Sequence, residues 1–207
     1  MALVDDMYEQ ALTAEYSIDI REHLPALRGY AARCDVVTEL GVRWVVSTWA
    51  FLVARPKVLN SFDIVHISNY GKSEDEIRRA ASEINVLFSF YNENVLTTDN
   101  ITDTDMLFID TLHSYKQLKL ELHLHGNKAR KYIAFHDVVT FGESDEMHLS
   151  EDPSWPDSLK EQYRNLPEGF GINKAIVEFM VDNKHWRAEK LFSNNNGLLI
   201  LTRLNDA

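Results

Sequence analysis

Cysteine is almost missing from this chain, and its scarcity excludes several chemistries. The single Cys34 forms no internal disulfide and offers no cluster for zinc or an iron–sulfur centre. Lying just before a strand-like run, it reads as a small buried hydrophobe. Also lacking is any apolar run long enough to span a bilayer, and the start, Met1-Ala2-Leu3-Val4-Asp5-Asp6, carries acid where a secretory signal needs base. The expectation is a soluble, unexported, cytoplasmic protein. Basic clusters are missing too: 21 Lys and Arg face 32 Asp and Glu, for a net charge of −11, and no basic block exceeds a pair such as Arg78-Arg79. Such a field repels phosphate backbones and anionic lipid, so nucleic acid and membrane are poor partners, while a metal cation or a small neutral or cationic ligand suits it. Glycine is scarce, with 8 in 207 residues, and no G-x-G-x-x-G fingerprint occurs. Trp44-Val45-Val46 stand where backbone would have to approach a pyrophosphate, which disfavours dinucleotide binding.

What is present reads as one domain, 1–207, since 45% apolar residues over this length fill one core comfortably. Strand-like runs recur at Val36, Val58, Val86, Met106 and Tyr132 with helical segments between them. That alternation predicts an α/β fold, a doubly wound, mostly parallel seven-stranded sheet with helices on both faces. The last two strands, 186–192 and 197–204, flank Ser193-Asn194-Asn195-Asn196-Gly197, an antiparallel hairpin whose Asn-Gly tolerates positive φ. Two helices are expected before the strand-like run at Val36, over 5–16 and 17–31, with Ser17 opening the second and Pro25 marking a first turn or kink. Ser73 with Glu76 forms a capping box for a charged helix. Residues 138–171 show no periodicity and, following a strand's carboxyl end, read as a lid or binding loop. His123 and His125 are expected at the surface or an interface, Trp155 and Trp186 as core or lid anchors.

Ligands of an open parallel sheet sit at the carboxyl ends of its strands. The run Met106–Ile109 ends on Asp110, with His113 three residues on, and Tyr132–Phe135 ends on His136-Asp137. If the two strands are neighbours, Asp110 and Asp137 converge, and two carboxylates with substrate oxygens satisfy a hard divalent cation such as Mg²⁺. His136 is either a further ligand, favouring a transition metal, or a packed side chain. His113 titrates in the range suited to taking a proton near neutral pH. Asp63, ending the second strand, is an acceptor-only carboxylate able to receive two ribose hydroxyls, or else a solvated cap. The turn from Glu39 to Thr48 is where a nucleotide-like ligand would be held.

The ordered set Glu39-Leu40-Gly41 with Ser47, Phe62-Asp63, Phe108-Ile109-Asp110-Thr111-Leu112-His113-Ser114-Tyr115 and Phe135-His136-Asp137 resembles the class I S-adenosylmethionine-dependent methyltransferases. It is most similar to small bacterial and phage members near the cephalosporin-hydroxylase-like and catechol O-methyltransferase-like branches. The resemblance covers nearly the whole chain, with 1–33 as lid helices and 138–171 as active-site loop. It implies cofactor contacts at Glu39, Gly41, Ser47, Thr48, Asp63 and Asp110, with Ser47 meeting the methionine carboxylate and Asp63 the ribose. It further implies a divalent cation held by Asp110, His136 and Asp137, and catalytic roles for His113, Asp110 and His136 in methylating a small polar or sugar hydroxyl. Two departures stand out: Val45 occupies the position of a second glycine, and His136 that of the usual acid. Alternatives are a metal-free enzyme using His113 and His136 as an acid/base pair, and a catalytically silent binder of adenosyl ligands. A homo-oligomer is compatible with all of these.

Overall fold

The computed structural model describes residues 3–204; Met1 and Ala2 of the acidic start, and residues 205–207, lie outside the described residues. Seven strands, β1 (Val36–Leu40), β2 (Val58–Phe62), β3 (Leu87–Tyr91), β4 (Thr104–Ile109), β5 (Ala129–His136), β6 (Trp186–Phe192) and β7 (Leu198–Arg203), form one sheet in the order β3-β2-β1-β4-β5-β7-β6. β1 to β5 are parallel, and β7 runs antiparallel to both β5 and β6. The helices are α1 (Leu3–Ala11), α2 (Leu24–Ala31), α3 (Val46–Ala54), α4 (Glu74–Glu83), α5 (Tyr115–His125), α6 (Asp157–Asn165) and α7 (Ile172–Asp182).

Strand parity divides the core into two layers, because alternate side chains leave opposite faces of a sheet. Val37, Met106, Phe108 and Ala134 pack with α1 to α4, while Leu40, Leu107, Ile109 and Phe135 pack with α5 to α7. The central strands are buried on both sides, which is why β4 is apolar without alternation. α3 has no polar face: every residue from Val46 to Val53 is buried. Its Ser47 and Thr48 hydroxyls therefore need partners inside the protein. Glu39, on the same face of β1 as Val37, supplies them, accepting from Ser47 (2.5 Å), Thr48 (2.8 Å) and Ser61 (2.6 Å). Burial pushes the Glu39 carboxyl up to about 7 although all three hydroxyls favour its ionised form.

Several local expectations shift. Ser17 does not open a helix; it ends a short 3₁₀ turn, and its hydroxyl donates to the carbonyls of Ala11 (2.6 Å) and Ala14 (2.8 Å), closing α1 instead. Pro25 lies in the first turn of α2, where its missing N–H has no intrahelical partner to lose. Ser73 accepts from the Glu76 amide (3.3 Å), the forward half of the capping box. The 138–171 segment carries α6. His123 is exposed, but His125 is buried and donates through Nε2 to the Val95 carbonyl (2.7 Å), pinning the connection after β3. Cys34, Trp155 and Trp186 are buried.

The asparagine turn between β6 and β7 does more than reverse the chain. Asn195 and Asn196 adopt positive φ, as does Gly197. Asn195 donates to the Ile18 carbonyl (2.6 Å) and accepts from the Glu22 amide (3.0 Å), and Asn194 donates to the Glu22 carboxylate (2.6 Å). The Asn196 carbonyl accepts from the amides of Val139 (2.9 Å) and Thr140 (3.1 Å). One turn thus grips both the segment before α2 and the segment after β5.

Gly41 sits at φ +87°, and a Cβ there would lie 1.9 Å from the Asp110 carbonyl oxygen. Gly41→Ala is therefore expected to destabilise by at least about 2–3 kcal/mol through strain and overpacking. An unchanged midpoint in urea unfolding would contradict this.

Candidate active site

Register places the site. Leu40 is opposite Ile109, and Ile109 opposite Phe135, so Gly41, Asp110 and His136 leave the sheet side by side. Asp110 donates its amide to the Leu40 carbonyl (2.8 Å), and Gly41 its own to Phe62 (2.9 Å), holding the three tips level. Asp137, at φ +62°, turns its carboxylate back over the strand ends.

Four predicted side chains meet there. His113 Nε2 lies 3.1 Å from Asp110 Oδ1 and 3.1 Å from Asp137 Oδ2. His136 Nδ1 is 3.1 Å from Asp137 Oδ2 and 3.5 Å from Asp110 Oδ1, while its Nε2 is buried with no partner. Burial alone would lower both imidazole pKa values, but the facing carboxylates outweigh it and raise His113 to about 9 and His136 to about 10. Asp110 is pushed the other way: burial opposes ionisation, and the two histidines override it, holding the carboxyl well below the usual range.

Three residues outside the sequence prediction complete this cluster. Glu146 takes the other edge of His113, with Oε2 at 2.9 Å from Nδ1, and Phe141 stacks on its ring at 5.1 Å. His23, buried before α2, sets its ring edge-on to His136 at 5.2 Å. Glu146 and Phe141 belong to the aperiodic segment and reach His113 only through tertiary contacts; no spacing in the sequence signals them.

Two chambers meet at this rim. One, about 480 Å³, has Asp63, Ile64, Glu93, Asn94, Leu112 and Trp155 in its walls. The other, about 270 Å³, is lined by Tyr16, Asp19, Trp44, His113, Asp137 and Glu146 among others. Gly41, Val42, Arg43, Asp110 and Thr111 border both. Ser47 lines the smaller chamber; Glu39 and Thr48 line neither, being turned into the α3 contact. Asp63 borders the larger chamber, yet its oxygens already accept from the amides of Val42 (2.8 Å), Arg43 (2.9 Å) and Val65 (2.8 Å). Of the roughly four lone-pair sites of a carboxylate, about one is left for a ligand. The anion held by this loop's amides is thus the protein's own. Arg43 and Val45 take φ +46° and +65°, so Val45 does adopt the left-handed backbone its position demands of a glycine, with its side chain fully buried.

Asp110, His113 and Asp137 each present one ligand atom, all within 4.8 Å of one another. Two carboxylate oxygens and one imidazole nitrogen suit a divalent cation, with the nitrogen favouring a transition metal over Mg²⁺. His113 joins this triad in the place expected for His136.

Neither a family model nor a curated relative matches the chain. Solved structures do. The O-methyltransferase TomG from Streptomyces achromogenes, involved in tomaymycin synthesis and solved with S-adenosylmethionine, aligns at TM-score 0.60 and 14% identity over 97% of this chain and 91% of its own. The magnesium protoporphyrin IX methyltransferase ChlM from Synechocystis PCC 6803, solved with S-adenosylhomocysteine, aligns at 0.58 and 12% over 98% and 95%. The N-methyltransferase NodS from Bradyrhizobium japonicum WM9 aligns at 0.53 and 10% over 90% and 97%. The chain has the fold of the class I S-adenosylmethionine-dependent methyltransferases, as the sequence resemblance implied. O- and N-methyltransferases share that fold, so the acceptor atom must be argued from the site.

Because the folded pKa of His113 lies above its unfolded value of 6.5, its stabilisation is complete below about pH 6.5 and is lost as pH rises through about 9. In chelator-treated protein the urea midpoint is expected to fall across that window, and to fall less steeply in His113→Gln. A variant with an unaltered slope would show that the cluster is not charged in this way.

Proposed function

We propose that the chain is an S-adenosylmethionine-dependent O-methyltransferase acting on a small polar or sugar hydroxyl with the help of a divalent cation, and that 1–207 forms one catalytic domain. The carrying observation is the convergence of two carboxylates and an imidazole on the rim where the chambers meet. The solved neighbours TomG and ChlM, with S-adenosylmethionine and S-adenosylhomocysteine respectively, support the cofactor. Two chambers sharing the Gly41 wall suit an elongated ligand, its purine in the larger, more apolar one and its sulfonium end beside the acids.

When bound, the cofactor supplies a methyl activated by sulfonium, and the cation lowers the pKa of a nearby hydroxyl. The residues do the rest by alignment. Asp110, Asp137 and His113 would hold the cation. To serve as a ligand His113 gives up its Nε2 proton, and Nδ1–H donating to Glu146 then fixes the tautomer and ring plane. Asp110 faces both chambers and so keeps acceptor and donor in register. The metal-free reading asks His113 to take the substrate proton directly, yet its carboxylate neighbours keep it protonated up to about pH 9. A base already carrying its proton at neutral pH favours the cation-assisted reading. Asp19, Asp137 and Glu146 make the smaller chamber acidic, which suits a neutral or cationic substrate over nucleic acid or lipid. Among the described residues no helix is long and apolar enough to cross a membrane.

Calorimetric titration with S-adenosylmethionine and S-adenosylhomocysteine, followed by a labelled-methyl transfer assay on a panel of hydroxylated acceptors, tests the proposal. Binding is expected, with turnover that EDTA abolishes and Mn²⁺ or Mg²⁺ restores. Asp137→Ala is expected to lower kcat/KM by roughly a thousandfold, the scale of losing a group that stabilises transition-state charge. Turnover indifferent to EDTA would remove the cation; binding without transfer would leave a silent adenosyl-ligand binder.

A further inference from the structure

We infer that Arg43 anchors the carboxylate at the amino-acid end of the cofactor, the role the resemblance gives to Ser47; this rests on the cofactor reading proposed above. A carboxylate accepts hydrogen bonds and offers none, so its site must supply donors. The Ser47 and Thr48 hydroxyls each have one proton, and both are committed to Glu39 at 2.5 and 2.8 Å. Acids surround the chambers, with Asp19, Asp63, Asp110, Asp137 and Glu146 in their walls. An incoming carboxylate therefore meets repulsion unless a cation faces it. His113 and His136 are already matched by Asp110 and Asp137.

Arg43 is the one lysine or arginine among the described residues lining either chamber, and it borders both. Its backbone is fixed, with the amide donating to Asp63 (2.9 Å) and φ at +46°. Its side chain is not: it is 67% exposed and reaches Asp19 at 3.7 Å, a solvated pair of little strength. The guanidinium can leave Asp19 at small cost and offer two parallel N–H donors to a carboxylate, a geometry lysine does not reproduce. A weakly paired cation on a fixed backbone, bordering both chambers, is what an amino-acid carboxylate requires.

Decarboxylated S-adenosylmethionine, which keeps the purine, ribose, sulfonium and amine, isolates the contact. Calorimetry on the full chain is expected to give S-adenosylmethionine a Kd tighter than the decarboxylated analogue by roughly tenfold or more, as for a charge-assisted pair. In Arg43→Gln the gap should close to within about twofold, with the analogue's own Kd unchanged, and Arg43→Lys should restore part of it. A gap that persists in Arg43→Gln, or equal weakening of both ligands, overturns the inference while leaving the cofactor reading intact. Wild-type protein that binds neither ligand overturns both.

Discussion

The close approach of the Gly41 backbone to the Asp110 carbonyl is the constraint on which the site depends. Only a residue without Cβ lets the tips of β1 and β4 come that near. Because they do, the loop after β1 and the acid after β4 form one wall shared by two chambers. Asp63 then draws the Val42 and Arg43 amides down with its own carboxylate, so the loop keeps its shape with a single glycine. The strain of left-handed Arg43 and Val45 is offset by those bonds and by the burial of Val45.

Electrostatics at the rim follows from that geometry. Asp110, Asp137 and Glu146 crowd two imidazoles into a small volume, and the crowding is tolerable because acids and imidazoles alternate, so that Asp110 is held ionised and His113 and His136 protonated. The imidazole protons supply the positive charge that balances these carboxylates. Glu39 shows the contrasting case. Buried among hydroxyls with no cation beside it, it is pushed up to about 7. Desolvation wins where no opposite charge is near and loses where one is.

Much of this was legible in the sequence, and the limits have physical causes. Central strands bury both faces, so their apolar runs gave away where the strands lie and the acids that end them. Parallel register did the rest, bringing Asp110 and Asp137 together from distant positions. Residue types that reach the site from aperiodic chain carried no such signal: Glu146 and Phe141 arrive by a loop, His23 by a segment of short turns. Ser17 looked like a helix opener because a serine before an apolar run commonly is one; here its hydroxyl found the carbonyls of α1. His125 looked exposed by its i, i+2 spacing from His123, yet a carbonyl on the loop after β3 gave it a buried partner. In both cases a hydrogen bond to a backbone carbonyl, local for Ser17 and tertiary for His125, overrode the simpler expectation.

The grip of Asn194 and Asn195 on Ile18 and Glu22 joins positions more than 170 residues apart. Loop-closure entropy makes contacts of such separation late to form. In order of translation, α1, α2 and the five parallel strands all precede the asparagine turn that fastens Ile18 and Glu22. The bonds that fasten the Ile18–Glu22 side of the smaller chamber therefore become available only once the hairpin of β6 and β7 has been made.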